Sequence, residues 1–195
     1  MIQKQIDSSK WAQFYINRLN DDYYHHVCTR YRPFLNEVLR YIQRGSSIVE
    51  LGCGMGNVSR FLLQNSDVKF KATMIDNDFA MIWLSLANLN KFDPNALGRT
   101  AYLIHGDILK SCPLADVVHS HGVLEHFSDE QIRTVIEIQK KACNTLIHYV
   151  PSYKYMTPSF GDERLMTPEQ WKAICNPTEI IEFNDGYDLI LKWTK

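Results

Sequence analysis

The sequence predicts an α/β fold: a mostly parallel, doubly wound sheet with helices on both faces and a C-terminal antiparallel hairpin. Three observations carry that expectation. Between residues 45 and 150, short apolar runs alternate with stretches of helical periodicity, the pattern of βαβ units whose sheet is covered on both faces. The first of those runs passes directly into a glycine-rich turn that opens a helical stretch. Near the end, two apolar runs flank Asn184-Asp185-Gly186, and an Asp-Gly pair in that setting signals a hairpin.

The elements follow in order. Trp11, Phe14, Tyr15 and Leu19 recur at helical spacing, and Phe34, Leu35, Val38, Leu39 and Ile42 repeat the pattern after Pro33. Two helices are expected, joined by a turn at Tyr23-Tyr24-His25-His26. Strands are expected at Ser47–Leu51, Phe70–Ile75, Ala101–His105, Val117–Ser120 and Thr145–Val150, with helices near Asn57–Gln64, Phe79–Asn90 and Asp129–Ala142. From Pro151 a loop rich in tyrosine and charge leads to a short helix, where Pro168 suits the first helical position and Thr167 with Gln170 fits a capping box. Glu179–Phe183 and Tyr187–Trp193 then form the hairpin.

With 195 residues, 45% of them hydrophobic and 22% charged, the chain has apolar material for one core. A single domain over 1–195 is expected: a helical cap over 1–44, the core over 45–150, and a loop with the closing hairpin over 151–195. The net charge of -1 provides no basic stripe for nucleic acid or an anionic membrane. The five cysteines contain no CxxC pair, so neither a zinc knuckle nor a disulfide framework is indicated. No signal peptide or spanning segment is readable, and a cytoplasmic location is expected.

The chemistry concentrates at strand ends. Ile48-Val49-Glu50-Leu51-Gly52-Cys53-Gly54-Met55-Gly56 is an apolar strand carrying an acid and running into three close glycines. Such a turn lets backbone approach a ligand, and the helix after Gly56 offers free N–H groups to a carboxylate. Glycine turns also bind dinucleotides, but here the spacing is GxGxG rather than GxGxxG, and Glu50 stands two residues before the first glycine. A second strand ends in Asp76, suited to a pair of ribose hydroxyls. A third leads to His105-Gly106-Asp107-Ile108, where Asp107 could receive an adenine amino group.

This ordered series, ELGCGMG, then Met74-Ile75-Asp76-Asn77 with Met81, then HGDIL, then Ala115 to Phe127, resembles the motifs of class I S-adenosylmethionine-dependent methyltransferases over residues 45 to 153, extending to the Phe160–Arg164 loop. The resemblance implies S-adenosylmethionine as cofactor. Glu50, Gly52, Cys53, Gly54 and Gly56 would hold its methionine part and Asp76 its ribose. Asn77 and Met81 would line the adenine, Asp107 would bond its amino group, and the Ile108 backbone a ring nitrogen. Ser120 and His121 would offer carbonyls to the ammonium. Asn77 departs from the apolar residue usual after the ribose acid.

The implied reaction is methyl transfer to the oxygen or nitrogen of a small-molecule acceptor. His121 and His126 follow the strand bordering the cleft and are the candidate general bases. Tyr23 and Tyr24 from the cap, and Tyr153, Tyr155 and Arg164 from the loop, are the candidate acceptor contacts, the two segments facing each other across the cleft mouth. Ser120-His121-Gly122-Val123 lacks the Asn/Asp-Pro-Pro-aromatic motif of base-amino methyltransferases. Cys112-Pro113 precedes the fourth strand, so the cysteine is read as a loop thiol. No metal is expected, because His119, His121 and His126 lack the spacing of a zinc site and His119 is expected to point away from His121. A nicotinamide-dependent oxidoreductase, a silent cofactor-binding partner of another methyltransferase and a protein methyltransferase are the other readings.

Overall fold

The computed structural model describes residues 9–92, 94, 96 and 100–195. Seven strands form one sheet: β1 (Ser47–Leu51), β2 (Lys71–Asp76), β3 (Ala101–His105), β4 (Ala115–His121), β5 (Cys143–Pro151), β6 (Glu179–Phe183) and β7 (Asp188–Thr194). Their order is β3-β2-β1-β4-β5-β7-β6. The first five run parallel, and β7 lies antiparallel between β5 and β6. The order reverses between β1 and β4, where Leu51 stands opposite Ser120, while on the other side Leu51 stands opposite Ile75. Gly52, Asp76 and His121 therefore emerge together at the carboxyl edge, at the switch point where such sheets bind ligands.

Alternation along β1 explains both covering layers. Val49 and Leu51 face a core filled by Ile132, Val135 and Ile136 of α6 (Asp129–Ala142) and by Trp171 of α7 (Pro168–Cys175). Ile48 faces the opposite core, filled from α3 (Arg32–Leu39) and α4 (Asn57–Asn65). A third helix, α5 (Phe79–Phe92), follows β2. Capping boxes at Ser128 and Thr167 start α6 and α7, each with a glutamine three residues on. At the hairpin the chain turns through Asn184, Asp185 and Gly186, all left-handed, a conformation short polar side chains tolerate and glycine adopts freely.

The N-terminal region departs from the expected pair of helices. It holds α1 (Lys10–Tyr15), a 3₁₀ turn at Ile16–Arg18, α2 (Asp21–Arg30) and then α3. Tyr23, Tyr24, His25 and His26 are not a turn but the body of α2. The reason is local. Asn20 caps this helix by accepting from the Tyr23 N–H at 2.8 Å, Asp21 and Asp22 sit in its first turn and Arg30 in its last, all favourable to the helix dipole. Tyr24, Val27 and Cys28, at i, i+3 and i+4, then share its buried face.

Phe34 is fully buried where α3 meets the sheet, against His119, His121 and Tyr149. The same helix is tied to β7 by a buried ion pair, Lys192 Nζ to Glu37 Oε1 at 2.9 Å. Phe34→Ala is predicted to cost about 3–5 kcal/mol of stability, the range for emptying a buried aromatic site. Urea unfolding checks it, and a loss below about 1 kcal/mol would show that α3 is not a principal anchor of this face.

Candidate active site

The turn after β1 is shaped by glycine at two positions in particular. Gly52 has φ +63°, and a Cβ on it would lie 2.6 Å from Val123 Cγ2, so both backbone and space exclude a side chain. Gly56, at φ +71°, occupies the N-cap of α4 and has no side chain with which to cap it. Glu50 performs that task from β1: its Oε2 accepts the Ser59 N–H at 3.1 Å and the Ser59 hydroxyl. Burial pushes the Glu50 carboxyl up to about 7, and the bonds from Ser59 oppose that rise.

Asp76 ties the end of β2 to the same turn. Its Oδ2 accepts the Gly54 N–H at 2.9 Å and its Oδ1 the Asp78 N–H at 2.9 Å. Burial raises this carboxyl above its ordinary range, while those bonds hold it down. Each oxygen retains lone-pair capacity for a further donor.

These groups open onto a cleft of about 990 Å³, its mouth included. Glu50, Gly52, Cys53, Gly54, Asp76, Asn77 and Met81 line it from the β1 and β2 side. His121, Gly122, Val123, His126 and Phe127 line it after β4, and Trp11, Tyr15, Tyr23 and Val27 cover it from the cap. Asp107, Ile108, Ser120 and, among the nearby loop glycines, Gly56 are not among the lining residues. Asp107 accepts the Leu109 N–H at 3.0 Å and pairs with Lys110, while Ile108 packs into the core beneath α6. The Ser120 hydroxyl meets His148 Nδ1 at 2.6 Å, and His148 Nε2 meets Gln139 Oε1 at 2.8 Å, a buried chain inside the protein.

The two cleft histidines differ in their surroundings. His121 stacks on Tyr149 at 4.4 Å and meets the edge of Tyr31 at 4.2 Å; its Nε2 is buried without a partner, and burial pushes the ring down to about 4. His119 does not point away from it. Residues two apart in a strand share a face, and both rings pack on Phe34. His119 is itself pushed down to about 3 by burial. His126 ends a 3₁₀ turn at Leu124–His126, sets its ring edge-on to Trp11 at 5.2 Å, and brings Nδ1 to 2.9 Å from Asp162 Oδ1. Among the described residues no group of three His, Cys, Asp or Glu side chains is arranged to hold a metal ion, and no helix is long and apolar enough to cross a membrane.

Of the expected acceptor contacts, Tyr23 lines the cleft. Tyr24 instead fastens α2 to α4: its hydroxyl donates to Gln64 Oε1 at 2.6 Å and the Arg60 guanidinium lies 3.5 Å over its ring. Tyr155 donates to the buried Asp188 at 2.6 Å and bonds Arg30, and Tyr153 is half exposed outside the cleft. Arg164 donates to the Phe127 carbonyl at 2.6 Å and pairs with Asp129. Cap and loop meet at Arg30 and Tyr155 and again at Phe160, whose ring lies 4.6 Å from Trp11 and 4.5 Å from Phe14. Among the lining residues that sequence reasoning missed are the cap aromatics Trp11 and Tyr15. Their helical stripe reads as core, and its one distinguishing signal is an excess of aromatic rings in a helix of six residues.

A strand-end cleft at the switch point of this sheet, floored by a glycine turn and two buried acids, is the arrangement of the class I methyltransferase fold. The match is specific: residues 23–189 correspond to the family described as Methyltransferase domain, and the chain belongs to it. No curated protein sequence matches the chain. Among solved structures, the pyocyanin biosynthetic protein PhzM superposes with a TM-score of 0.70 at 15% identity, over 94% of this chain and 61% of that one. Magnesium protoporphyrin IX methyltransferase from Synechocystis PCC 6803, with bound SAM, gives 0.63 at 17% identity over 83% and 77%. The mitomycin 7-O-methyltransferase MmcR gives 0.68 at 12% identity over 98% and 59%. The chain thus spans about three fifths of the length of PhzM and of MmcR.

Glu125, beside these groups in sequence, is buried with Oε2 unpartnered, and burial pushes its carboxyl up to about 8. Between the unfolded value near 4.5 and about 8, the folded protein keeps a proton that the unfolded chain releases, so this residue's contribution to stability falls as pH rises. Glu125→Gln is therefore predicted to become more stable relative to the wild type on going from pH 5 to pH 8, roughly across that window. Paired urea titrations read the difference, and a constant or opposite gap would show that Glu125 is not carrying a buried proton.

Proposed function

We propose that the protein transfers a methyl group from S-adenosylmethionine to an oxygen or nitrogen of a small molecule. The carrying observation is the pairing of Asp76 with the Gly52–Gly56 turn at one cleft wall. The turn lacks the side chains that would fill the space, and its Gly54 N–H binds the acid that a ribose would meet. Glu50, Gly52, Cys53 and Gly54 would face the methionine part, with Gly56 opening the helix behind them. Asp76 would bind the ribose, Asn77 and Met81 the adenine, and Asp107 and the Ile108 backbone its polar edge, while Ser120 and His121 would offer carbonyls. The sulfonium supplies an activated methyl group for in-line displacement. The chain's own contribution is alignment and exclusion of water, which the aromatic cover of Trp11, Tyr15 and Phe160 serves. His121 or His126 would take the acceptor's proton.

A small acceptor is favoured over a protein side chain because the cap rings Trp11, Tyr15 and Tyr23 line the cleft and Trp11 packs on Phe160 of the loop, which narrows the approach. Two structural neighbours, a magnesium protoporphyrin IX methyltransferase and a mitomycin methyltransferase, agree with that class. Calorimetry is expected to detect S-adenosylhomocysteine and not NAD; NAD binding alone would overturn the proposal. Asp76→Ala is expected to weaken S-adenosylhomocysteine binding by about 1.5–3 kcal/mol with the fold intact, the scale for hydrogen bonds to a charged acceptor. An unchanged dissociation constant would remove Asp76 from the ribose site.

A further inference from the structure

We infer that the acceptor is an aromatic hydroxyl and that His126, positioned by Asp162, is the base that takes its proton; this rests on the methyltransferase reading above. The acceptor class follows from the lining. Trp11, Tyr15, Tyr23, His121, His126 and Phe127 surround the cleft with rings, and among the described lining residues there is no lysine or arginine. An acceptor carrying a carboxylate or phosphate would lose its hydration there with no cationic side chain among the described lining residues to receive it. A protonated amine has no lone pair for the methyl group and would be repelled by the neighbouring sulfonium. A flat, neutral ring with one ionisable hydroxyl meets both conditions and stacks on its surroundings.

The choice between the two histidines is made by what lies behind each ring. His121 is enclosed by Tyr31, Phe34 and Tyr149, and among the described residues its Nε2 has no hydrogen-bond partner to support an imidazolium. His126 has Asp162 at 2.9 Å from Nδ1. A carboxylate can only accept, so Nδ1 carries a hydrogen, and in the neutral ring the lone pair is on Nε2. The bond to His126 holds the Asp162 carboxyl below its ordinary range, so the carboxylate is present to stabilise a charged ring. Asp162 is itself exposed, and its placement comes from its neighbours in the loop. Phe160, two residues before, is seated on Trp11 and Phe14. Arg164, two residues after, is held by the Phe127 carbonyl and Asp129.

In the step, His126 Nε2 receives the hydroxyl proton and becomes imidazolium. The acceptor oxygen forms its bond to the methyl carbon as the carbon–sulfur bond breaks, and that electron pair stays on sulfur. The products are an aryl methyl ether and a neutral thioether, and His126 then releases one proton to water. No oxidant or metal is required.

The test uses the full chain, the Asp162→Asn variant, S-adenosylmethionine as donor for turnover, S-adenosylhomocysteine for binding and spectra, and two acceptors of different acidity at pH 8. Phenol, with a pKa near that of tyrosine at about 10, needs a base, whereas 4-nitrophenol is already largely ionised. The variant is expected to lower kcat for phenol by about 100-fold, with KM altered by less than about threefold, and to affect 4-nitrophenol at least about tenfold less. Nitrogen-15 spectra of the S-adenosylhomocysteine complex should show the His126 hydrogen on Nδ1 in the wild type, with that preference lost in the variant. Equal losses for the two phenols would mean a merely structural Asp162 and would overturn the proposal, as would a hydrogen on Nε2 in the wild type. Bound S-adenosylhomocysteine with no methylation of either phenol would reject the acceptor class and leave the donor reading standing. Absence of S-adenosylhomocysteine binding would reject the donor reading itself.

Discussion

The bond from Glu50 to Ser59 is the constraint on which the rest of the cleft depends. A helix that begins at a glycine has free N–H groups and no side chain to receive them, and burying such a helix end costs free energy unless another group accepts. Here the acceptor comes from the preceding strand, so β1, the turn and α4 are locked as one unit. Asp76 then crosses from β2 to the Gly54 N–H, and the turn is held from both sides. Glycine at 52, 54 and 56 is the complement of this arrangement, since the backbone there is left-handed throughout. The two acids thus organise backbone first, and the face they present to the cleft follows from that organisation.

The other half of the cleft is made by segments that share no periodicity with the sheet. The cap is fastened at several points remote from the cleft: Tyr24 and Arg60 join α2 to α4, Glu37 and Lys192 join α3 to β7, and Arg30 reaches Asp188. Asp188 is fully buried and gathers the hydroxyls of Tyr149 and Tyr155 and the amide of Asn184. Several residues with the chemistry of substrate contacts are therefore occupied in joining cap, loop and hairpin. What lines the cleft on this side is the aromatic stripe of α1, Tyr23 and Val27 of α2, and the turn after β4.

Burial also sorts the histidines. His119, His121 and His148 are enclosed, and each ring is held neutral because a charged form would be desolvated. His148 spends both nitrogens inside the protein, on Ser120 and Gln139. His126 alone of the β4 group has an acidic partner carried on a separate loop. A sequence search for histidine clusters sees His119, His121 and His126 as equivalent; their environments make them different groups.

Much of the core was legible in the sequence because it is written in local signals. Strand and helix periods, the glycine turn after Glu50, the capping box at Thr167 and the Asn184–Gly186 turn each act within a few residues, so composition at those positions suffices to determine them. The Asn20 cap was equally local, yet the polar aromatic run after it masked α2, because the same residues serve turns and amphipathic helices. Only the tertiary structure decided which aromatic residues face the cleft. Trp11 and Tyr24 are both large, both on amphipathic helices and both part-polar, and what separates them is whether the opposing surface is a cavity or the flank of α4. The pairing of His126 with Asp162 was likewise beyond sequence reach, since 36 residues separate them and only the seating of Phe160 and Arg164 brings the carboxylate to the ring.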